Sequence, residues 1–562
     1  MLENIANQLG NSSFKRHLLF LAATVATILF IGYQFGTFDE AMHIPFLKEM
    51  AKPALYPGDR MLDLRHIYFS YFWFWFISFE NNGWLEPVLF LVHFLTIYFS
   101  YWGVWELSST LFDKPLSSLF CVIAVIVPHF SFVGFPIFEF AVLSRTFVFP
   151  FLLFALNQFL KGKVVIAFLV AGLMFNIHVV SVNFILAMFG LACLLEFKRI
   201  GIKNILAGLL VFFISALPVL EWKAGGDPID FSLRPDWVRF LNLTIFSHIF
   251  AMIGVNPGTW IIFLSGVSAL ILFFIAYPFA ENKSAAKTAR IFVFAGIVVL
   301  IVNIITVYWL PVTIIIESQI TRVGLWILIL AYLFFANYLA KIYEEQTLHV
   351  ISFWLLTIVF WVSPLAFLPL MAWILVRKVE KPGLLKAGIV VFGAGIAATF
   401  AIFISIGFWH PGIFISGENS PWVEVQNWAR ENTPISARFI TPPEKWGVLE
   451  SDWRVHSERS TAVTFSEVLV AAFEPGYEIE WKSRFNLVAP GAFEKFNGDY
   501  FHNMDVTKKA YDNLPVSNLM NAICKMNIQY TVSEKPAFYN FPKVYENSGY
   551  IVYDVQKVNC LH

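Results

Sequence analysis

Two adjacent carboxylates, Asp39 and Glu40, open a stretch of unusual ionic density, "FDEAMHIPFLKEMAKPALYPGDRMLDLRH", spanning residues 38–66. It also carries His43, Asp59, Arg60, Asp63, Arg65 and His66. A positioned carboxylate can take a proton from a hydroxyl, and imidazole can donate or accept hydrogen bonds. Guanidinium holds phosphate through paired N–H donors. Farther along, Glu139, Arg145, Asn176, His178, Glu317, Gln319 and Arg322 stand as polar residues in or beside apolar runs.

Every one of these residues also has a plainer role. Thr37-Phe38-Asp39-Glu40 fits a capping box in which Glu40 returns to the Thr37 amide. Pro45 argues instead for a helix starting near Ile44, which leaves Asp39 and Glu40 in a loop and free for chemistry. Pro57-Gly58 makes "YPGDR" a turn, and Asp59 and Arg60 can pair with each other or with Asp63 and Arg65. His43 and His66 also suit an interfacial structural role. Arg145 and Arg322 can snorkel to headgroups, and Glu317 can serve only to neutralise Arg322. His178 needs a partner near a helix end, which favours a functional role for it. The aromatic run 66–79 reads as an interfacial helix.

The elements that carry these residues follow from composition. The 562 residues are 58% hydrophobic and 14% charged, with 39 Lys and Arg against 39 Asp and Glu. Such a chain belongs in a bilayer, and without a basic run it offers nothing to a nucleic acid. Crossing the hydrocarbon takes roughly 20 apolar residues. Suitable runs fall near 17–36, 84–111, 115–132, 142–160, 164–182, 182–196, 202–220, 259–280, 290–310, 323–342, 348–362, 363–377 and 385–408. This predicts an α-helical polytopic membrane protein of about thirteen spans, with a hairpin at Ser363-Pro364. Lys and Arg concentrate in alternate loops, which predicts a cytoplasmic N-terminus in an inner (plasma) membrane protein. The polar residues above then share the outer side. Ionisable groups at that depth are costly unless they pair or line a wet cleft.

From His410 onward long apolar runs end and ordinary charge density returns. The predicted division is a transmembrane domain, 1–409, and an extracytoplasmic (periplasmic) α/β domain, 410–562. "SPWVEVQNWARENTP" (420–434) predicts an amphipathic helix, and strand-like runs follow at 437–441, 460–465, 529–532 and 550–553. Cys121 and Cys193 lie in apolar runs as packing residues. Cys524 and Cys560 share the C-terminal region, where a disulfide is open to them if it lies outside the cytosol.

A first span ending in Phe38-Asp39-Glu40, an outer loop, about a dozen further spans and an extracytoplasmic C-terminal domain resemble the GT-C superfamily of membrane glycosyltransferases. "FDEAMHIPFLKEMAKPALYPGD" and "WARENTP" look like segments of its uncharacterised bacterial members. The resemblance implies an inverting enzyme that takes a sugar from a polyprenyl-phosphate donor and passes it to a glycan, lipid or protein acceptor at the outer face. It implies Asp39 as general base, with Glu40 as the competing carboxylate. Arg145 and Arg322 would stabilise the phosphate, while His43, His66, His178, Asp59, Arg60, Glu317 and Gln319 would contact substrate. Some members hold a divalent metal near the acidic pair, so Mg2+ or Mn2+ is a candidate cofactor, with Asp39, Glu40 and Asp59 as its oxygen ligands. The absence of a WWD-type motif argues against transfer to asparagine. A transporter or flippase of an anionic lipid-linked substrate is the alternative, although charges at the outer edge and the lack of an inverted repeat count against it. An inactive scaffold would tolerate loss of Asp39.

Overall fold

A computed structural model describes residues 2–127, 129, 132, 136–226, 228–244, 257–345, 412–417, 419–447 and 450–560. Five described helices are long and apolar enough to cross a membrane: Ser13–Ile31, Leu85–Phe112, Ile202–Ala224, Lys283–Tyr308 and Ile320–Glu345. Pro115–Ala124, Ser144–Leu160, Val164–Phe175, Val179–Leu195 and Phe263–Phe279 are shorter apolar helices. Each run expected before residue 346 coincides with one of these. The runs expected at 348–362, 363–377 and 385–408, and the hairpin at Ser363-Pro364, lie outside the described residues.

Boundaries move where polar side chains intervene. The break expected near residue 182 falls at 176–178, because Asn176 turns outward to neighbouring backbone. Its Nδ2 donates to the Ser215 carbonyl at 2.7 Å, and its Oδ1 accepts from the Val219 amide at 3.1 Å. His178 then caps the next helix, its Nδ1 accepting from the Ser181 amide at 3.1 Å. Helix Glu40–Ala51 begins at Glu40 rather than near Ile44 and contains Pro45. The amide that Pro45 lacks would have met the Ala41 carbonyl, so one bond is missing from the ladder. The aromatic run 66–79 is not one helix. It divides into the short turns Arg65–Ile67 and Trp73–Phe76 before Ile77–Asn81.

Strand β1 (Tyr33–Gln34) leaves the first long helix and pairs in parallel with β2 (Ile413–Phe414). A five-stranded sheet follows, made of β3 (Arg438–Ile440), β4 (Ser460–Thr461), β5 (Tyr530–Glu534), β6 (Lys543–Glu546) and β7 (Tyr550–Asp554), in the order β4-β3-β5-β7-β6. β3 is parallel to both neighbours, whereas β7 is antiparallel to β5 and β6. Helix Pro421–Asn432 buries Trp422 and Val425, and Ser420 caps it by accepting from the Val423 amide at 3.3 Å. Cys524 and Cys560 form a disulfide, while Cys121 and Cys193 are free and buried.

The apolar residues of the first loop divide between two cores, with Ile44 and Leu47 packing among the apolar helices and others joining the C-terminal region. Met42, Phe46 and Leu62 pack in one cluster with Trp446, Phe465 and Trp481. A buried ionic network joins the same surfaces. The Arg454 guanidinium donates to Asp59 at 2.7 Å and to Glu467 at 2.7 Å, and the side chains of all three are 0% exposed. Asp452, Arg484 and the Tyr477 hydroxyl complete it. Apolar burial makes this contact strong. The ions make it specific, because an unpaired charge left there would cost several kcal/mol.

Candidate active site

The segment 33–40 is held on three sides. The Tyr33 amide donates to the Gly412 carbonyl at 2.7 Å, the Gln34 amide to the Phe140 carbonyl at 3.0 Å, and the Phe35 amide to the Phe414 carbonyl at 3.2 Å. Gly36 has φ +78° and lies so close to Val455 that a Cβ there would meet Cγ1 at 2.6 Å. Glycine is therefore required for both backbone shape and space. The chain then passes through Phe38, a non-glycine residue at φ +48°, and delivers Asp39 to the rim of a cavity of about 470 Å³.

Eight of the expected site residues line this cavity: Asp39, His43, His66, Arg145, His178, Glu317, Gln319 and Arg322. They come from the first loop, from two helix starts and from the connection before Ile320–Glu345. At the centre, Arg145 presents Nη1 to Asp39. Its Nε and Nη2 grip both oxygens of Glu139 at 2.7 and 2.5 Å. Such a fork-on-fork pair fixes the plane of the guanidinium. Burial pushes the Asp39 carboxyl up, but Arg145, helped by Arg322 and His43, more than cancels this and holds it below the usual carboxylate range. Asp39 is thus charged at neutral pH, and Arg145 occupies it.

His43 stacks on Trp73 with ring centroids 5.2 Å apart, and burial lowers its pKa to about 4, so it stays neutral. The His178 Nδ1 acts as acceptor for a helix cap, which leaves its N–H on Nε2. Glu317, which also lines the cavity, is raised by burial to about 7. Gln319 sits at φ +45°, a second non-glycine residue in the left-handed region beside the same cavity. Strain of this kind survives where surrounding contacts impose it, and it gathers at binding sites.

Three expected site residues are placed elsewhere. Asp59 is buried under Arg454, caps the Met61 amide at 3.1 Å and is absent from the cavity wall. Arg60 is half-exposed and grips Glu480 at 2.7 and 3.0 Å and Asp63 at 2.7 Å. Both are structural ion pairs rather than substrate contacts. Glu40 is buried behind the cavity, where one oxygen accepts from the Gly36 amide at 2.8 Å instead of returning to Thr37. Burial raises its pKa to about 8. The proposed metal ligands therefore do not fit a metal. Asp39 faces Arg145, Glu40 the Gly36 amide and Asp59 Arg454, and no cluster of three ligating side chains occurs among the described residues.

The structure also adds residues that sequence reasoning left out of the site. Tyr68 and Trp73 line the cavity from the aromatic run taken for an interfacial helix, together with Trp222 and Lys223. Glu139 reaches the site through Arg145. Its spacing of six residues from Arg145 was the available signal. The aromatics gave none beyond their proximity to His66.

Residues 420–488 match a domain of unknown function, DUF6798. No curated protein matches the chain. Among solved structures, the chain is similar to ArnT from Cupriavidus metallidurans, crystallised with undecaprenyl phosphate. That similarity covers 96% of this chain and 98% of ArnT, at 12% identity and a TM-score of 0.47.

Proposed function

We propose that the chain is a membrane glycosyltransferase that takes a sugar from a polyprenyl-phosphate donor at the outer face of the cytoplasmic membrane. The observation that carries this reading is the meeting of Asp39, Arg145, Arg322, His43 and His178 in one cavity with aromatic walls. Arginines recognise the phosphate, aromatic faces stack on a sugar, and the carboxylate activates the attacking hydroxyl. The proposed frame has thirteen spans, a cytoplasmic N-terminus and an extracytoplasmic α/β domain over 410–562. The Cys524–Cys560 disulfide supports an oxidising compartment for that domain.

In the proposed reaction the acceptor hydroxyl gives its proton to Asp39. Its oxygen attacks the anomeric carbon from the face opposite the phosphate. The bond from that carbon to the phosphate oxygen breaks, and the electron pair leaves with the polyprenyl phosphate. Configuration inverts. Arg145 and Arg322 stabilise the leaving charge, while His43, His66, His178, Glu317 and Gln319 orient sugar and acceptor. Because Arg145 holds Asp39 before substrate arrives, the donor phosphate must draw off part of that guanidinium. Asp39 then loses its main counter-charge and becomes a stronger base. No step passes through a metal.

The test is binding of undecaprenyl phosphate to the purified protein. The double variant Arg145→Gln/Arg322→Gln is expected to bind at least about tenfold more weakly than the wild type. Equal affinity would remove the reading.

A further inference from the structure

Phe38 is the residue that aims Asp39, and its backbone is held in a conformation that L side chains avoid by roughly 1–2 kcal/mol. Its φ is +48°. Local sequence does not explain this conformation, since neither glycine nor asparagine occupies the position. The Ala41 amide donates to the Phe38 carbonyl at 3.0 Å, and the further restraint comes from two directions. The Phe38 ring stacks on Phe140 at 5.6 Å with planes 7° apart, immediately beyond the Glu139 that grips Arg145. Its backbone is bound at both ends by one short segment of the C-terminal region: the Trp446 indole N–H donates to the Phe38 carbonyl at 2.9 Å, and the Phe38 amide donates to the Gly447 carbonyl at 3.4 Å.

That segment is itself firmly seated. The Trp446 ring is 3% exposed and stacks on Phe465 at 6.0 Å. The Tyr500 hydroxyl donates to the Trp446 carbonyl. A Cβ on Gly447 would meet that hydroxyl at 2.2 Å, so only glycine lets the segment lie against Tyr500 while its carbonyl faces Phe38.

We propose that Trp446 is a positioning residue of the site. Its indole N–H holds Phe38 in the left-handed conformation that sets Asp39 against Arg145, so the 420–488 region, which also lines the cavity through Leu469, Ala472 and Phe473, acts on Asp39 through a residue outside that lining. This rests on the reading of Asp39 as the general base. It assigns to a region otherwise matched only to a domain of unknown function the task of setting the geometry of a carboxylate more than 400 residues earlier.

Trp446→Phe keeps the ring and removes the N–H. In purified full-length protein, a water-soluble carbodiimide with an amine labels accessible carboxyls, and peptide mass spectrometry reads the rate at Asp39. Loss of one such hydrogen bond should raise Asp39 labelling about fivefold. Glu317, another carboxyl lining the cavity, should keep its rate. In a Phe38→Gly background the positive φ carries no strain, and the same Trp446→Phe change should alter Asp39 labelling less than about twofold. An unchanged Asp39 rate, an equal rise in both backgrounds, or a parallel rise at Glu317 would each overturn the proposal. If Trp446→Phe does not fold, Tyr500→Phe, which frees the carbonyl of the same residue, is expected to raise Asp39 labelling about twofold, and no rise would overturn it as well. Labelling uses no lipid. Failure of the wild type to bind undecaprenyl phosphate would therefore fall on the proposed function alone, and failure of the labelling pattern on Trp446 alone.

Discussion

Asp39→Asn should have two effects of opposite sign. Arg145 presents Nη1 to Asp39, and in the proposed reaction the donor phosphate competes for that same nitrogen, so removing the charge on Asp39 should free the guanidinium for the lipid. The Asp39 and Arg145 side chains are only 18% and 14% exposed, and water screens the pair little. A hydrogen bond to a charged group is worth about 1.5–3 kcal/mol net, and a neutral one about 0.5–1.5. Replacing carboxylate with amide therefore weakens the competitor by about 1.4 kcal/mol, which is tenfold in affinity. Undecaprenyl phosphate should bind the variant about tenfold more tightly than the wild type, read by native mass spectrometry or by titration in nanodiscs. Sugar transfer should fall by about 100-fold or more, the usual contribution of a general base. Glu139 still holds Arg145 by two bonds, so the guanidinium is not left unpaired and the site should persist. Equal or weaker lipid binding by Asp39→Asn would refute the idea that carboxylate and phosphate share Arg145. Full transfer would refute the base.

Glu40 gives a pH signature that can be read from stability alone. Its folded pKa of about 8 lies above the ordinary glutamate value of 4.5, so between those values the folded protein retains a proton that the unfolded chain has lost. Stability contributed at Glu40 is then lost as pH rises through that window, and Glu40→Gln should flatten the decline and raise the melting temperature at pH 8 more than at pH 5. A parallel shift at both pH values would show that Glu40 does not titrate there. Asp59→Asn leaves the buried Arg454 short of one counter-ion and should destabilise the protein by about 3–5 kcal/mol in denaturant melts. Arg60→Gln, at a half-exposed pair, should change it by less than about 1 kcal/mol. Similar losses from both would contradict the separation of buried network from surface pair.

Apolar run length was enough to place the described helices before residue 346, because a bilayer permits little else, and the same topology put Asp39, Arg145, His178 and Arg322 on one side. Their meeting in one cavity was legible for that reason. Asp59 and Arg60 lie off the cavity wall in ion pairs, which the sequence leaves ambiguous for a physical reason. A charged loop residue looks the same whether its partner is a substrate or an ion across the fold, and Arg454 and Glu480 lie 395 and 420 positions away. The start of helix Glu40–Ala51 was obscured by Pro45, whose cost the surrounding burial overrides. Glu139 was grouped with the outer polar residues but given no role, and Trp446 was missed, because each acts through another residue, Arg145 or Phe38, and no local pattern records such an indirect contact.

The bond between Asp59 and Arg454 also sets a clock for biogenesis. With 395 residues between its partners, and synthesis proceeding at about 5–20 residues per second, the first loop must wait roughly 20 to 80 seconds for the guanidinium that neutralises its buried acid. During that interval Asp59 stays hydrated, and the pocket lacks the wall formed by Leu469, Ala472 and Phe473. Completion of the proposed site is therefore tied to synthesis of the chain's final quarter, and a ribosome that stalls before Arg454 emerges should leave that site unassembled.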